Sequence, residues 1–290
     1  VYTTSADLNK VYRIDVTTQT IIGNGIEIPN GINKPTDIVS NSDGTKIYLG
    51  GNNNKGNLVD FVDNEVTLIN SGTANWCGVT YDRQYAIHAS YNFSIVNFNT
   101  EALEDNVSGY GTGVGAVSPN SYEAIGFAPV GFEGAHIFSF PTVSSINYEG
   151  IIVPADGIEG DAPKKVSVTA DGSKVLTANV CSQNVTVFNL ATNSIDTIFS
   201  FPFDADIKNV SSTHDSQYAI VTFDDLGVSK IIDLNNLEIV ATVPGGGHTI
   251  RISSDNEYAY VSNVAGSDKI NIIHLDGAGS SNIGSIPTGQ

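Results

Sequence analysis

A unit of about forty residues recurs six times along this chain, and it limits the fold more tightly than any other feature. Its clearest copies are Thr36–Gly50 (TDIVSNSDGTKIYLG), Lys165–Ala178 (KVSVTADGSKVLTA) and Thr249–Asn263 (TIRISSDNEYAYVSN). Each copy is an alternating apolar strand, a tight polar turn and a second alternating strand, the pattern of a hairpin with one buried face. The turns are marked by Asp43, Asp82, Asn120, Asp171, Asp215 and Asp255, at spacings of 39, 38, 51, 44 and 40 residues. Such a period suits a four-stranded sheet that buries its faces only by stacking on a neighbouring copy.

The later strands of the unit fix the number of copies. After the hairpin of His248–Ser262, Ile270–Leu275 reads as a third strand and Ile283–Pro287 as a fourth. Equivalent third strands begin with Val11–Val16, Leu58–Asp63, Ser94–Asn99 and Ala135–Phe140. They continue with Asn184–Asn189, Ser229–Leu234 and Ile270–Leu275, seven in all. First strands number six: near Asp37–Ser40, Cys77–Tyr81, Gly115–Ser118, Lys165–Thr169, Lys208–Ser211 and His248–Ser253. Every sheet needs a third strand, so the larger count decides. The expectation is an all-β, seven-bladed β-propeller of four-stranded blades forming one domain over 1–290, with one blade lacking its inner strand. Val1–Ala6 matches a second strand, so the incomplete blade is the first. Either flanking sequence belongs there or the ring closes imperfectly. The 51-residue interval places one insertion within Ala128–Pro163, and helical periodicity is almost absent.

Composition narrows the partners. Lys and Arg total 13 against 31 Asp and Glu, a formal charge of −18. A nucleic-acid backbone needs clustered cations, and an anionic lipid surface needs the same, so neither is an expected partner. No apolar run approaches the roughly 20 residues that span a bilayer, so membrane insertion is not expected. The chain has no Met, and Val1 already lies in a strand pattern; a mature product, a processed piece or an excised domain is expected. Abundant Asn, Ser, Thr and Gly, with sequons at Asn92, Asn106, Asn184 and Asn209, suit an extracellular or cell-surface protein. Two cysteines, Cys77 and Cys181, are too few for a disulfide scaffold, and two buried thiols are expected.

At ISSDNEYAYVSN (252–263) with INIIHL, and VTADGSKVLTANV (168–180) with NVTVFNL, the chain resembles the YVTN-type β-propellers of bacterial and archaeal surface proteins. Their pattern is a first strand, an S-P-D-G-like turn, a Y-V-T-N-like second strand and a V-x-V-I-D-like third strand. The resemblance covers nearly the whole chain with degenerate motifs. It implies the fold and not an activity, since propellers of this kind include adhesive, binding and enzymatic members.

Candidate site residues cluster where loops enter the inner strands: Asp37, Trp76, Lys165, Lys208, His248 and Arg251. Converging cations beside an indole suit a small anion, such as a carboxylate or sugar acid. The competing reading, which the acid-rich sequence favours, is that these cations neutralise Asp37, Asp204 and Asp206. Asp156, Glu159 and Asp161 in DGIEGD offer carboxylates on a glycine-bent loop, a candidate calcium site. Carboxylates are also paired at Asp204/Asp206 and Asp224/Asp225. No His pair has zinc spacing, and neither a G-x-S-x-G elbow nor a catalytic-cysteine signature occurs. His136 and His274 fall in third strands, where a structural role is expected. Gly245-Gly246-Gly247 reads as a close backbone crossing between blades. The functional expectation is a secreted or cell-surface binding or structural module for a surface protein or glycan. It stands alone or within a larger polypeptide or assembly, with calcium as candidate cofactor. The alternative is an enzyme with an axial site, of the lactone hydrolase or dehydrogenase type, with His248 as base and Arg251 as anion anchor.

Overall fold

The computed structural model describes residues 2–5, 9–15, 18, 20–28, 35–51, 56–70, 76–89, 92–108, 114–121, 123–127, 135–142, 145–152, 163–202, 205–262 and 269–287. They form seven antiparallel meander sheets, six of four strands and one of three, with one short 3-10 turn at Gly277–Gly279. This is the expected seven-bladed β-propeller. The first blade is the three-stranded one: Tyr2–Ser5, Lys10–Asp15 and Thr20–Glu27. The remaining blades open with Pro35–Ser40, Trp76–Val79, Val114–Val117, Pro163–Val168, Ile207–Ser212 and Thr249–Ile252. These are the six inner strands read from the sequence.

Two turns per blade explain the repeat's polar signature. Between first and second strands, a Thr or Ser hydroxyl and a backbone N–H both donate to one carboxylate. Thr80 Oγ1 and the Gln84 N–H donate to Asp82 Oδ1 at 2.6 and 3.1 Å, and Thr213 with Gln217 does the same for Asp215. Thr169 and Ser173 serve Asp171, and Ser253 and Glu257 serve Asp255. The residue after each of these aspartates, and after Asp43, takes positive φ: Gly44, Arg83, Gly172, Ser216 and Asn256. Glycine fits there without cost, which accounts for the Asp-Gly copies. The second turn follows the third strand, whose last Asp or Asn caps two backbone N–H groups. Asp60 takes Val62 and Asp63, Asn189 takes Ala191 and Thr192, and Asp233 takes Asn235 and Asn236.

The described residues group into two compact units, Val1–Val117 with Ser121–Phe127 and His136–Gly150, and Ser118–Asn120 with Ala128–Ala135 and Ile151–Gln290. In each, burial follows position within the blade rather than simple alternation. Third strands Gly56–Asp60 and Asn184–Asn189 are buried almost throughout, because both their faces meet protein. Fourth strands such as Thr20–Glu27 and Ser281–Pro287 lie largely exposed. In the first unit, Phe93 stacks on Phe138 at 4.1 Å between ring centroids, in a cluster that also holds Ile87, Ile95 and Phe140. In the second, Leu176, Val187, Val221 and Phe223 centre a comparable cluster. Burying one such large apolar side chain contributes roughly 1.5–3 kcal/mol.

Three details adjust the sequence reading. Cys77 is buried, and burial pushes its thiol well up, helped by the Asp37 charge; Cys181, also a free thiol, is exposed rather than buried. Its position just past the second strand Lys174–Asn179 puts it in a surface turn. Two of the four sequons are closed to modification. Asn184 is buried against Asn179, and Asn209 donates to the His248 carbonyl at 2.9 Å. Asp156, Glu159 and Asp161 lie outside the described residues.

Candidate functional site

The most concentrated set of ionisable groups in the second unit sits where the sixth and seventh blades begin. Ile207–Ser212 and Tyr218–Phe223 are antiparallel, with Ile207 opposite Phe223. The residue before the first strand and the residues after the second therefore meet at one end. That geometry brings Asp206 beside Asp224 and Asp225, and carboxylate oxygens of all three lie within 4.8 Å of one another. A register shift between Ile207 and Asn209 places Lys208 on a β-bulge, which re-aims its side chain. The Lys208 ammonium reaches Asp206 Oδ2 at 2.5 Å. Asp206 itself holds φ +42°, a left-handed conformation that L residues other than Asn, Asp and Gly seldom adopt.

His248 arrives from the seventh blade. Its Nε2 lies 3.1 Å from Asp224 Oδ2, and its backbone N–H donates to the Ser262 carbonyl at 2.8 Å. The preceding glycines make this approach sterically feasible. A Cβ on Gly246 would stand 1.8 Å from the Phe223 carbonyl oxygen, and one on Gly247 2.5 Å from that of Ser262. Gly245 has φ +112°. The triple glycine is thus the close crossing that its sequence suggests, and it delivers His248 to the acidic cluster.

The structure therefore joins Lys208 and His248, two of the sequence candidates, through aspartates. Lys208 neutralises Asp206, as the acid-rich sequence favours. Asp224 and Asp225 are visible in the sequence as adjacent acids, but nothing in one dimension shows that the hairpin returns them to Asp206. Lys165 is exposed on its strand, and makes no ion pair among the described residues. Arg251 is exposed too, and donates to the Ile250 carbonyl at 2.8 Å.

In the first unit, Asp37 and Trp76 have structural employment. Asp37 Oδ2 accepts the Cys77 N–H at 3.1 Å, and Oδ1 accepts the Ile38 N–H at 2.9 Å, tying one inner strand to the next. The Trp76 indole packs against the Phe93 and Phe138 cluster and covers Gly78, where a Cβ would lie 2.8 Å from the ring. His136 is buried and its ring nitrogens are held low in basicity by burial; His274 lies 5.7 Å from the Tyr258 ring. Both fill the structural roles expected of third-strand histidines.

No protein-family profile matches the sequence, and no curated relative matches it. Solved structures do resemble it. Dihydro-heme d1 dehydrogenase NirN superposes with a TM-score of 0.74 at 12% identity, over 98% of this chain and 62% of that one. A functionally unknown protein from Desulfotomaculum acetoxidans DSM 771 gives 0.73 at 12% identity, over 98% and 94%. The β-propeller domain of Myceliophteria thermophila Cps50 (Swd1) gives 0.66 at 12% identity, over 90% and 89%. Identities this low establish the propeller fold and no activity.

Proposed function

We propose that this propeller is an extracellular or cell-surface binding module of the YVTN type, and that the Asp206–Asp224–Asp225 mouth is a calcium-dependent part of its binding surface. The convergence of those three carboxylates carries the reading. Two oxygens on one calcium ion, each about 2.3–2.6 Å from it, are at most about 5 Å apart, so the observed spacing fits a shared ion. Three carboxylates against one Lys208 ammonium leave two negative charges when His248 is neutral, which suits a divalent cation. Partners would be a surface protein or a glycan whose carboxylates or hydroxyls complete the coordination. Thermal unfolding with calcium and with EDTA tests this. A calcium-dependent rise in Tm, lost in Asp224→Asn with Asp225→Asn, is expected; equal Tm in both buffers would overturn the metal site.

One contact favours an enzyme as the second reading. Asp224 engages His248 Nε2, and a carboxylate on one imidazole nitrogen is the arrangement that orients a general base. Turnover of a lactone or ester panel that disappears in His248→Gln would favour this reading over the module.

A further inference from the structure

The sequence contains three arginines, Arg13, Arg83 and Arg251, and two of them line one cleft of about 480 Å³ in the first unit. That volume falls within the range of small-ligand clefts, about 300–1,000 Å³. The cleft lies beside the three-stranded first blade. Tyr2, Arg13 and Ile22 form a row across its strands, Tyr2 opposite Arg13 and Arg13 opposite Ile22. Cross-strand partners share one sheet face, so all three present to the same side. Facing them is the turn Asn41–Gly44, to which the Tyr2 hydroxyl donates through the Gly44 carbonyl. Arg83 comes from the equivalent turn of the third blade, at φ +56°.

Three properties set this cleft apart. In a chain of charge −18, neither guanidinium makes an ion pair among the described residues. The lining carboxylates accept from their own turns: Asp43 Oδ1 takes the Thr45 N–H and hydroxyl at 2.9 and 2.7 Å, and Asp15 Oδ1 takes the Thr18 N–H at 3.3 Å. Ile22 is 47% exposed and, like Ile14, gives the largely polar cleft apolar lining. Two guanidiniums, two carboxylates and one apolar wall match a ligand with an anionic group, several hydroxyls and an apolar ring face.

We propose that the cleft binds a sugar acid. Arg13 and Arg83 receive its carboxylate, Asp15 and Asp43 accept from its hydroxyls, and Ile22 packs against the ring. A guanidinium presents paired N–H donors at the spacing of a carboxylate, which is why arginine suits this role better than lysine. The site is separate in residues from the acidic mouth, and needs no metal.

The test is calorimetric titration of the intact chain with sodium glucuronate, glucose and sodium sulfate, in low-salt buffer with EDTA so that calcium plays no part. Glucuronate is expected to bind about tenfold or more tighter than glucose, which lacks the carboxylate. Arg13→Gln and Arg83→Asn should each weaken it about tenfold with Tm unchanged; Asn is chosen at position 83 because it tolerates positive φ. Sulfate binding as well as glucuronate would overturn the sugar assignment. No glucuronate binding, or binding that survives both substitutions, would overturn the site.

Discussion

Aspartates at the blade turns and aspartates at the mouth of the sixth and seventh blades share a chemistry and differ in what surrounds them. Asp171 Oδ1 accepts from the Thr169 hydroxyl, the Ser173 N–H and the Ser173 hydroxyl of its own turn. Asp224 instead faces His248 from another blade, and Asp206 faces Lys208 across a bulge. A carboxylate oxygen that takes three donors of its own turn holds that turn. One paired with side-chain cations can exchange them. The repeat thus marks its turn acids by regular spacing, while the three acids of the mouth fall outside that spacing.

The comparison breaks most visibly if the mouth depends on its charges for its shape. We expect that it depends on its glycines. Gly246→Ala would press a Cβ into the Phe223 carbonyl and the Val228 nitrogen, both backbone atoms that cannot rotate away. A cost of about 3 kcal/mol or more is expected, with loss of any calcium response, because the hairpin carrying Asp224 must shift. Asp224→Asn should leave urea unfolding almost unchanged while abolishing the calcium response. If the two variants were equally destabilised, the division between scaffold and site would fail.

A middle-sized effect is expected at the turns. Asp171→Ala removes three acceptor contacts on a largely exposed turn, and should cost about 1–2 kcal/mol in urea unfolding without altering the calcium response. Acid should reveal the same contribution. Burial raises the Asp171 carboxyl, but the bonds from Thr169, Ser173 and Ser216 outweigh it and hold the group below its usual value. Asp255 is lowered chiefly by the Ser253 hydroxyl, and Asp43 by Thr45. A carboxyl lowered in the folded state adds stability above its unfolded pKa, near 3.9, and loses it as pH falls through the folded value. The gap between the parent and Asp171→Ala should therefore be full at pH 7 and narrow below about pH 4. A gap that stayed constant with pH would show that the ionised carboxylate is not what the turn uses.

The fold was legible because it rests on local chemistry repeated many times. Alternation, turn aspartates and third-strand Asp or Asn caps each recur, so even Asp82-Arg83 and Asp215-Ser216, which lack the glycine, kept their place. The site was legible only in part. Lys208 and His248 stand next to inner strands, and position alone flags them. Their joining through Asp206 and Asp224 depends on a hairpin register and a bulge, which one dimension does not display. Trp76 shows a packing that its position does not display: it stands at an inner strand, and Gly78 leaves room for the indole to lie back on the core. The arginine cleft had no sequence signal, because Arg13 and Arg83 belong to different blades and only the fold brings them to one cleft.

The smallest expected effect bears on whether Lys208 and calcium compete for the same carboxylates. The Lys208 ammonium holds Asp206 Oδ2 at 2.5 Å, with 12% and 30% of the two side chains exposed. A partly exposed pair of this kind contributes about 0–1 kcal/mol, so removing it frees the carboxylate at little cost to the fold. Lys208→Gln should leave Tm within a degree or so in EDTA and tighten calcium binding by up to about fivefold, the upper factor that such a pair energy corresponds to. The gain should shrink in high salt, where screening weakens the resident ammonium as well. Unchanged or weaker calcium binding would mean that Lys208 is no competitor. Asp206 would then belong with the structural acids, leaving Asp224 and Asp225 too few to hold the ion.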